Sequence, residues 1–453
     1  MSAATRRSGT ARIPRASAWV AATLALVACG SVPDAAEGGV EAQRSQTATP
    51  QSMRSGRVLP GIDVLLRDSI ALVRGKRVGL VTNHTGVTTG ATPDSIRSVY
   101  GASDTAYSTV DVLHARTDFE LVGLFSPEHG LAGTAKEGVK VATGRHEGTG
   151  LPIYSLYGET NEPLPWMLEG VDVLLFDIQD IGARYYTYVW TMALSMRAAG
   201  AAGVPFVVLD RPNPIGGTLV QGDVLDPDFA TFVGLYPVPM RHGMTVGEVA
   251  RLLAGEFGVR AELHVVPVDG WRRAQWYDET GLPWVPPSPN MPSLESAAHY
   301  PGTCLFEGTN LSVGRGTATP FQWVGAPWLD GAALAERLNA YGLPGVRFEA
   351  ATFTPVEPSD GKWPDTEVHG VRFVLTDRAT YDPTRAAVAA LVEARAMSGE
   401  RWTWNVAHID RLAGTDQLRL LIDAGRTADE ITAPWAAQLA AFETRRARYL
   451  LYR

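Results

Sequence analysis

A carboxyl group that could act as an acid catalyst lies in a short turn after an apolar run. Glu128 stands in SPEHG at residues 126–130, where Pro127 fixes the approach of the chain and Gly130 frees its exit. Such a turn can hold one side chain in a cleft, and His129 or a neighbouring acid could favour the protonated form that an acid catalyst needs. Glu128 and His129 are therefore candidate catalytic residues. The alternative role of Glu128 is to cap the following helix.

A second polar cluster, DIQDIGARYY at residues 177–186, separates an apolar run from a helical pattern. The run at 171–176 is nearly all apolar, as expected of a strand covered on both faces, and apolar residues at 188–199 recur at helical spacing. Ligands of open α/β sheets bind just outside the carboxyl ends of the strands, which is where this cluster falls. It supplies two further candidates, Asp177 and Arg184, unless these residues simply pair and cap a helix.

The elements that must position these turns alternate between apolar runs and helical patterns. Strands are predicted at residues 77–82, 120–125, 153–158, 171–176 and 205–209. Several of them end in a polar turn, and the alternation predicts an α/β fold with a doubly wound, mainly parallel sheet over residues 58–318. No glycine-rich phosphate loop follows a strand, so we expect no nucleotide cofactor.

The pattern of predicted strands and helices changes after residue 318. Strand-like runs lie near 346–356 and 370–376, and helical patterns lie near 383–397 and 434–448. They predict a smaller C-terminal α+β auxiliary domain over residues 319–453.

Two stretches before that change are predicted to line a cleft. Residues 281–293, GLPWVPPSPNMPS, contain too many prolines for a helix or an inner strand and should form a rigid wall that displays aromatic and amide side chains. Residues 302–320 are rich in glycine and polar side chains, and they carry Glu307 and Arg315.

The N-terminus predicts export and a lipid anchor. Residues 1–28 carry a basic segment followed by a short apolar segment, and LVAC at 26–29 is typical of a bacterial lipoprotein signal peptide in which Cys29 is lipidated. Residues 29–57 are small and polar, as expected of a flexible tether. The expected location is therefore the periplasmic or cell-surface side of a membrane. An ordinary secretory signal or a simple anchor helix is the alternative.

The net charge argues against one class of partner, and the cysteine content bears on disulfide bonds. The chain has a formal net charge of −8, and residues 1–28 contain four arginines and no acids, so their removal leaves −12. Such an acidic chain argues against nucleic acid as a partner. With Cys29 lipidated, Cys304 is the only remaining thiol, which excludes an internal disulfide.

A series of sequence motifs resembles one enzyme family. In chain order the motifs are GIDVLL, VGLVTNHTGV, FSPEHGL, LPIYSLYGET, VDVLLFDIQDIGARYYTYVWTM, LDRPNPIGG, RHGMTVGEVA, PPSPNMP and GTCLFEGTNLSVGRGT. Together, from about residue 59 to the C-terminus, they resemble the NamZ-type exo-β-N-acetylmuramidases. The resemblance implies a Rossmann-like catalytic domain, a smaller auxiliary domain and an active site between them. It also implies release of N-acetylmuramic acid from the non-reducing ends of peptidoglycan fragments during cell-wall turnover.

This activity requires two chemical roles. Hydrolysis of a glycosidic bond needs an acid that protonates the leaving oxygen and a base or nucleophile that completes the displacement. Glu128 is the candidate acid, whereas Asp177, Glu159 and Glu307 are candidates for the second role that the sequence does not rank. The 2-acetamido oxygen of the substrate could instead be the nucleophile.

Muramic acid differs from glucosamine by a lactyl ether carboxylate, for which a bidentate guanidinium is the natural partner. Arg184, Arg241 and Arg315 all lie in candidate turns, with structural ion pairing as the alternative role of each. Tyr185 and Tyr186 could stack on sugar faces or belong to the core. The remaining candidate substrate-binding residues are Asn83, His84, Glu159, Asn213, His242, Asn290 and Asn310.

Two other functions are compatible with this pattern. One is a catalytically inactive lipoprotein that binds cell-wall glycans, which would have no need of Glu128. The other is a metal-dependent hydrolase of another polar substrate, with ligands among His84, His129, His242 and Asp177. Because these residues have no compact ligand spacing, no metal site is predicted.

Overall fold

The strands of the protein form largely where the sequence has its apolar runs. The computed structural model describes residues 58–89 and 107–453. The strands are β1 (Arg77–Thr82), β2 (Glu120–Ser126), β3 (Gly144–Arg145), β4 (Pro152–Ser155), β5 (Val173–Asp177), β6 (Phe206–Leu209), β7 (Gln221–Val224), β8 (Pro239–Arg241), β9 (Leu263–Val266), β10 (Trp323–Ala326), β11 (Val346–Phe353) and β12 (Val368–Leu375). The signal peptide, the tether and Cys29 lie outside the described residues.

The helices follow the strands in alternation and then dominate the C-terminal part. They are α1 (Gly61–Asp68), α2 (Thr109–His114), α3 (Tyr188–Ala202), α4 (Val246–Glu256), α5 (Leu294–Thr303), α6 (Gly331–Ala340), α7 (Pro383–Ser398), α8 (Val406–Ala413), α9 (Gln417–Asp423), α10 (Ala428–Thr432) and α11 (Trp435–Arg446). Within the described ranges, no helix combines the length and the apolar character needed to cross a bilayer.

The main sheet has the strand order β3-β4-β2-β1-β5-β6-β9. Its pairings are parallel except for the edge pair β3–β4. When the parallel strands alone are numbered along the chain, this order reads 3-2-1-4-5-6, which is the Rossmann order. The predicted α/β fold with a doubly wound, mainly parallel sheet is therefore confirmed.

Strand β5 shows why the central run of the sequence is almost continuously apolar. Val173 and Leu175 point into the core on one side of the sheet, and Leu174 and Phe176 point into the core on the other side. All four side chains are completely buried. Burial at about 25 cal/mol per Å² of apolar surface on both faces stabilises the sheet that carries the functional turns at its edge.

The C-terminal part combines helices with a small antiparallel sheet of order β10-β12-β11. Its chain finally returns to the main sheet, where the Tyr452 hydroxyl donates to Asp210 and the Leu451 N–H donates to Glu248. The described residues, 58–89 and 107–453, accordingly belong to one compact unit. The division at residue 318 into a catalytic and an auxiliary domain stays a prediction.

Candidate active site

A cleft of about 530 Å³ opens beside the turn that follows β2. Its walls come from that turn, the start of α3, the proline-rich stretch, the Gly-rich loop before β10, and α8. The residues predicted from sequence that line it are Glu128, His129, Tyr185, Tyr186, Asn290, Glu307 and Arg315. The structure therefore brings together side chains that are up to 187 residues apart in the sequence, from Glu128 to Arg315.

The Glu128 carboxyl group is held by donors on both of its oxygens. Oε1 accepts the Gly138 N–H at 2.9 Å, and Oε2 accepts the Thr187 hydroxyl at 2.8 Å. The Tyr157 phenol also bonds to this carboxyl group, and burial followed by the Glu128 charge raises the pKa of Tyr157 well above its ordinary value. Glu128 is thus a fixed, largely buried carboxyl group that still borders the cleft.

The turn that presents Glu128 has an unusual backbone. His129 has φ 69° and Gly130 has φ 75°, so two consecutive residues adopt the left-handed conformation. The His129 Nδ1 lies 2.7 Å from the Ala135 carbonyl oxygen. Because a carbonyl only accepts, Nδ1 carries the proton, and this bond offsets part of the cost of about 1–3 kcal/mol for such a backbone conformation. His129 therefore braces the turn.

Glu307 and Arg315 form a buried ion pair on the cleft. The Arg315 Nε donates to Glu307 Oε1 at 2.7 Å, Nη2 donates to the same oxygen, and Nη1 lies 2.9 Å from Glu137 Oε1. Burial is the largest single effect and alone would raise the pKa of Glu307, but the charge and the hydrogen bonds of Arg315, with smaller contributions from His408 and Lys362, together lower the pKa below its ordinary value. Glu307 therefore stays a carboxylate, and Arg315 is committed to two acids.

Asp360 and Lys362 add a second charged pair to the cleft, which no sequence motif predicted. Burial raises the pKa of Asp360 and lowers the pKa of Lys362, whose ammonium lies 3.9 Å from Asp360 Oδ2. The Lys362 Nζ donates to the carbonyl oxygens of Phe306 and Leu311, both at 3.0 Å. Oδ2 of Asp360 is buried without a hydrogen-bond partner. Lys362 thus fixes the loop that carries Glu307.

Aromatic side chains and an amide complete the cleft wall. Tyr185 donates its hydroxyl to the Pro301 carbonyl, while Tyr186 packs edge-on against Tyr300 at 5.8 Å between ring centroids. Asn290 donates to Ser359 at 3.1 Å, and like Ser288 and Met291 it comes from the proline-rich stretch. The stretch predicted to be a rigid wall does border the cleft.

Asp177 lies elsewhere, at the point where the strand order of the sheet reverses. Its two oxygens accept Arg211 Nε at 2.6 Å and Nη2 at 2.9 Å, and Oδ2 also accepts the Thr109 hydroxyl at 2.6 Å. Asp177 and Arg211 are 0% and 3% exposed. The crevice where the sheet topology favours a ligand is therefore filled by an internal ion pair, and the geometry does not support the catalytic role expected of Asp177.

Arg184 does not reach the cleft either, and it does not pair with Asp177. Its fully buried guanidinium donates to four carbonyl oxygens at 2.7–3.1 Å, and burial lowers its pKa. The four acceptors are the carbonyls of Asp223, Val238, Leu412 and Ala413. Arg184 therefore binds the last turn of α8, where a cation is favoured by the helix dipole. The guanidinium predicted to contact the substrate is therefore bound to carbonyl oxygens inside the protein and does not line the cleft.

Arg241 and His242 are core residues as well. Arg241 donates to Gln221 at 2.8 Å and to the Ile215 carbonyl, and burial lowers its pKa to about 10. His242 Nδ1 accepts the Met244 N–H at 3.2 Å, so the neutral ring carries its proton on Nε2. That nitrogen lies 3.9 Å from the buried Asp180. Neither residue lines the cleft, contrary to the expected substrate contacts.

The other predicted binding residues shape loops. Asn83 Oδ1 accepts from the Thr85 N–H and hydroxyl, Asn213 donates to the Met244 carbonyl at 2.9 Å, and Asn310 donates to the Arg401 carbonyl at 2.8 Å. None of these three asparagines lines the cleft.

His84 and Glu159 also lie off the cleft lining. The His84 Nε2 bonds the Pro286 carbonyl at 2.7 Å, and its ring occupies the space over Gly133, where any Cβ would lie 1.8 Å away. Glu159 is exposed to solvent. Neither contributes to the cleft that holds Glu128.

Helix α8 supplies cleft residues that no sequence motif indicated. Asn405, His408 and Arg411 follow one another at intervals of three, so they share one face of this helical turn. A polar face on a short C-terminal helix reads as ordinary solvated surface in a sequence, which is why these residues were missed. The i, i+3 spacing was the one available signal. Among the described residues, no group of three or more acidic, histidine or cysteine side chains is placed to hold a metal ion.

Comparison with known proteins places this cleft in a family. Two family models match, "Exo-beta-N-acetylmuramidase NamZ, N-terminal" over residues 78–295 and "Exo-beta-N-acetylmuramidase NamZ, C-terminal" over residues 298–452. The peptidoglycan β-N-acetylmuramidase NamZ of Bacillus subtilis (strain 168) is 43% identical over 412 residues, which covers 91% of this chain and 95% of that protein.

Two crystal structures of DUF1343 family proteins from Bacteroides fragilis NCTC 9343 are also similar. The first has a TM-score of 0.78 at 33% identity, and the second has a TM-score of 0.66 at 30% identity. Each comparison covers 88% of this chain and 99% of the other chain. The resemblance expected from the motifs is confirmed, and the chain belongs to the NamZ family of exo-β-N-acetylmuramidases.

Proposed function

We infer that this chain is an exo-acting glycoside hydrolase that releases N-acetylmuramic acid from the non-reducing ends of peptidoglycan fragments. The observation that carries its chemistry is Glu128, a carboxyl group fixed by the Gly138 N–H and the Thr187 hydroxyl on the wall of a cleft of about 530 Å³. A cleft of this size suits a sugar unit. The turn of Glu128, the Tyr185 and Tyr186 rings, and the Glu307–Arg315 pair come from segments that carry the family motifs.

Glu128 acts as the general acid in this proposal. It gives its proton to the glycosidic oxygen while the bond from that oxygen to C1 breaks, and it later takes a proton from the incoming water. The Thr187 hydroxyl suits both states, because it donates to the carboxylate and can turn to accept from the protonated acid. The buried contacts of Glu128 keep the side chain in one position through both steps.

Glu307 supplies negative charge rather than the nucleophile. Its Oε1 accepts two N–H groups of Arg315, and its Oε2 accepts the Cys304 thiol at 3.6 Å, so neither oxygen is unengaged. This arrangement favours the 2-acetamido oxygen of the substrate as the group that bonds to C1. Replacing that acetamido group by trifluoroacetamido should then slow hydrolysis strongly, whereas an unchanged rate would return the nucleophile role to a protein carboxylate.

Hydrolysis of an aryl β-N-acetylmuraminide, with and without a chelator, tests the activity. We expect release of the phenol at the same rate in both conditions. Absence of release would favour a binding protein with an inactive site. Release that stops with chelator and returns with added metal would identify a metal-dependent hydrolase.

We propose that the protein lies on the periplasmic or cell-surface side of a membrane, with its anchor at Cys29. Support comes from the sequence at 26–29 and from the polar stretch that separates it from the first helix at residue 61. A Cys29→Ser variant whose apolar signal has been removed should keep its activity and move from the detergent phase to the aqueous phase. One acyl chain binds membranes only weakly, so the two or three chains typical of such proteins matter. Retention of the variant in the detergent phase would refute the lipidation site.

A further inference from the structure

The substrate of the proposed function is an anion, and the cleft has to accept its charge. Four carboxyl groups line the cleft, those of Glu128, Glu137, Glu307 and Asp360. An uncompensated lactyl carboxylate would be repelled there, because like charges close together are destabilising and weaken binding. The cleft therefore needs a cation that is not already committed to one of its own acids.

The positively charged side chains of the cleft differ in the ion pairs and hydrogen bonds that they already make within the protein. Arg315 is bound to Glu307 and Glu137, and Lys362 is bound to backbone carbonyls beside Asp360. Arg411 lines the same cleft, remains exposed, and has no carboxylate within ion-pair distance among the described residues. Its guanidinium has one side-chain partner in that part of the chain, the imidazole of His408. Arg411 is thus the cation that is open to a ligand.

His408 orients Arg411 without neutralising it. A guanidinium only donates, so the Nη2 of Arg411 donates to Nδ1 of His408, and the neutral ring then carries its own proton on Nε2. Burial, and after it the Arg411 charge, lowers the pKa of His408 to about 4, which keeps the ring neutral at physiological pH. The pair therefore presents hydrogen-bond donors, which is what a carboxylate requires.

The helix that carries the pair has a fixed position. The Asn405 side chain caps α8 by accepting the His408 N–H, and Arg184 binds the carbonyls of Leu412 and Ala413 at 2.8 and 2.7 Å. The helix also packs directly on the turn that holds Glu307, because a Cβ on Gly308 would lie 2.5 Å from Ile409. Arg411 is consequently held in a fixed relation to the acids of the cleft.

We propose that Arg411, oriented by His408, binds the lactyl carboxylate of the terminal muramoyl residue and thereby selects muraminides over glucosaminides. This assignment rests on the proposed function. It moves the carboxylate-binding role from Arg184, Arg241 and Arg315, each of which is engaged internally, to a fourth arginine.

The test is a double-change cycle, in which the Arg411 side chain and the lactyl carboxylate of the substrate are altered separately and together. Aryl β-N-acetylmuraminide is compared with the analogue whose lactyl carboxylate is a carboxamide, for the wild type and for Arg411→Gln. We expect the wild type to prefer the carboxylate by roughly 10- to 150-fold in kcat/KM, the range for one hydrogen bond to a charged group. The variant should show a ratio near one, with the loss mainly in KM. Arg411→Lys should restore part of the preference.

Controls separate this assignment from the proposed activity. Arg401→Gln removes an exposed arginine outside the cleft lining and should keep the wild-type ratio. If the wild type hydrolyses neither substrate, the proposed function fails. If the wild type is active and Arg411→Gln keeps the preference, or lowers both rates equally while its thermal unfolding is unchanged, the assignment of Arg411 is wrong and the proposed function stands.

Discussion

Replacement of Glu128 by Gln separates proton donation from packing. The Gln oxygen can keep the Gly138 N–H that Oε1 accepts at 2.9 Å, and its amide can donate to the Thr187 oxygen once that hydroxyl turns. The Gly138 bond is kept and the Thr187 bond is rearranged, while the Tyr157 phenol exchanges a charged acceptor for a neutral one. The free energy of unfolding should therefore fall by about 1–2 kcal/mol. General acid catalysis contributes roughly 100- to 10,000-fold, or about 3–5 kcal/mol of barrier. Activity should therefore fall much more than stability.

The loss should depend on the leaving group. A sugar alkoxide leaves poorly without a proton, whereas a nitrophenolate leaves readily. We therefore expect Glu128→Gln to retain measurably more activity on a nitrophenyl muraminide than on a muramoyl disaccharide. Steady-state kcat/KM on both substrates, with urea unfolding of the same preparations, measures both effects.

Glu137→Gln is the matched control, because Glu137 lines the same cleft but its carboxyl group bonds to Ser359 and Arg315. It should change both substrates by the same factor. Equal loss on both substrates for Glu128→Gln would make Glu128 a nucleophile or an orienting group. Activity near that of the wild type on both would leave it a structural residue.

The internal residues give three further predictions. Asp177→Asn should destabilise the protein by about 3–5 kcal/mol, since Arg211 is left buried without its charge partner, while kcat of the folded enzyme persists; a large loss of kcat at unchanged stability would contradict this. Arg184→Met should lower stability and also kcat/KM on muraminide and on its carboxamide analogue by the same factor, whereas a loss confined to the carboxylate would return substrate binding to Arg184. Burial raises the pKa of Asp180 to about 7, so between pH 4 and pH 7 the folded state holds a proton that the unfolded state has lost, and the stability contributed by this group falls as the pH rises. Asp180→Asn lacks this contribution, so the amount by which the wild type exceeds the variant in free energy of unfolding should be about 4 kcal/mol larger at pH 4 than at pH 7. Urea unfolding measures it, and a difference that does not change with pH would refute the pKa shift.

The fold could be predicted from the sequence because each inner strand corresponds to a local pattern of apolar residues. Each inner strand is covered on both faces, so burial requires a continuous apolar run such as 173–176, and the run ends where the chain leaves the sheet. The short strands β7, β8 and β10 escaped prediction because their burial depends on distant partners. Strand β7 pairs with β8, for example, and α11 packs against it from the far end of the chain.

The candidate site could be predicted only in part, because pairing between distant charges leaves no local signal. Glu128 and Glu307 lie on the cleft as their turns indicated. Asp177 stands in an equally suggestive turn, but Arg211, 34 residues later, neutralises it inside the protein. Arg411 shows the reverse case, since a helix without a sequence motif presents to the cleft a cation that has no carboxylate partner in the described part of the chain. Which charges are internal and which face a ligand is decided by tertiary packing.

The polar segment at residues 177–187 contributes to the site mainly by positioning other residues. A charged group inside a protein must be paired or hydrogen-bonded, and Asp177 and Arg184 find their partners in β6's following turn and in α8. Thr187, at the end of the same segment, reaches the cleft and holds Glu128. One segment thus joins the turn of Glu128 to the helix that carries Arg411. Rigid placement of reacting groups, which accounts for much of enzymatic rate enhancement, then depends on buried contacts that never touch the substrate.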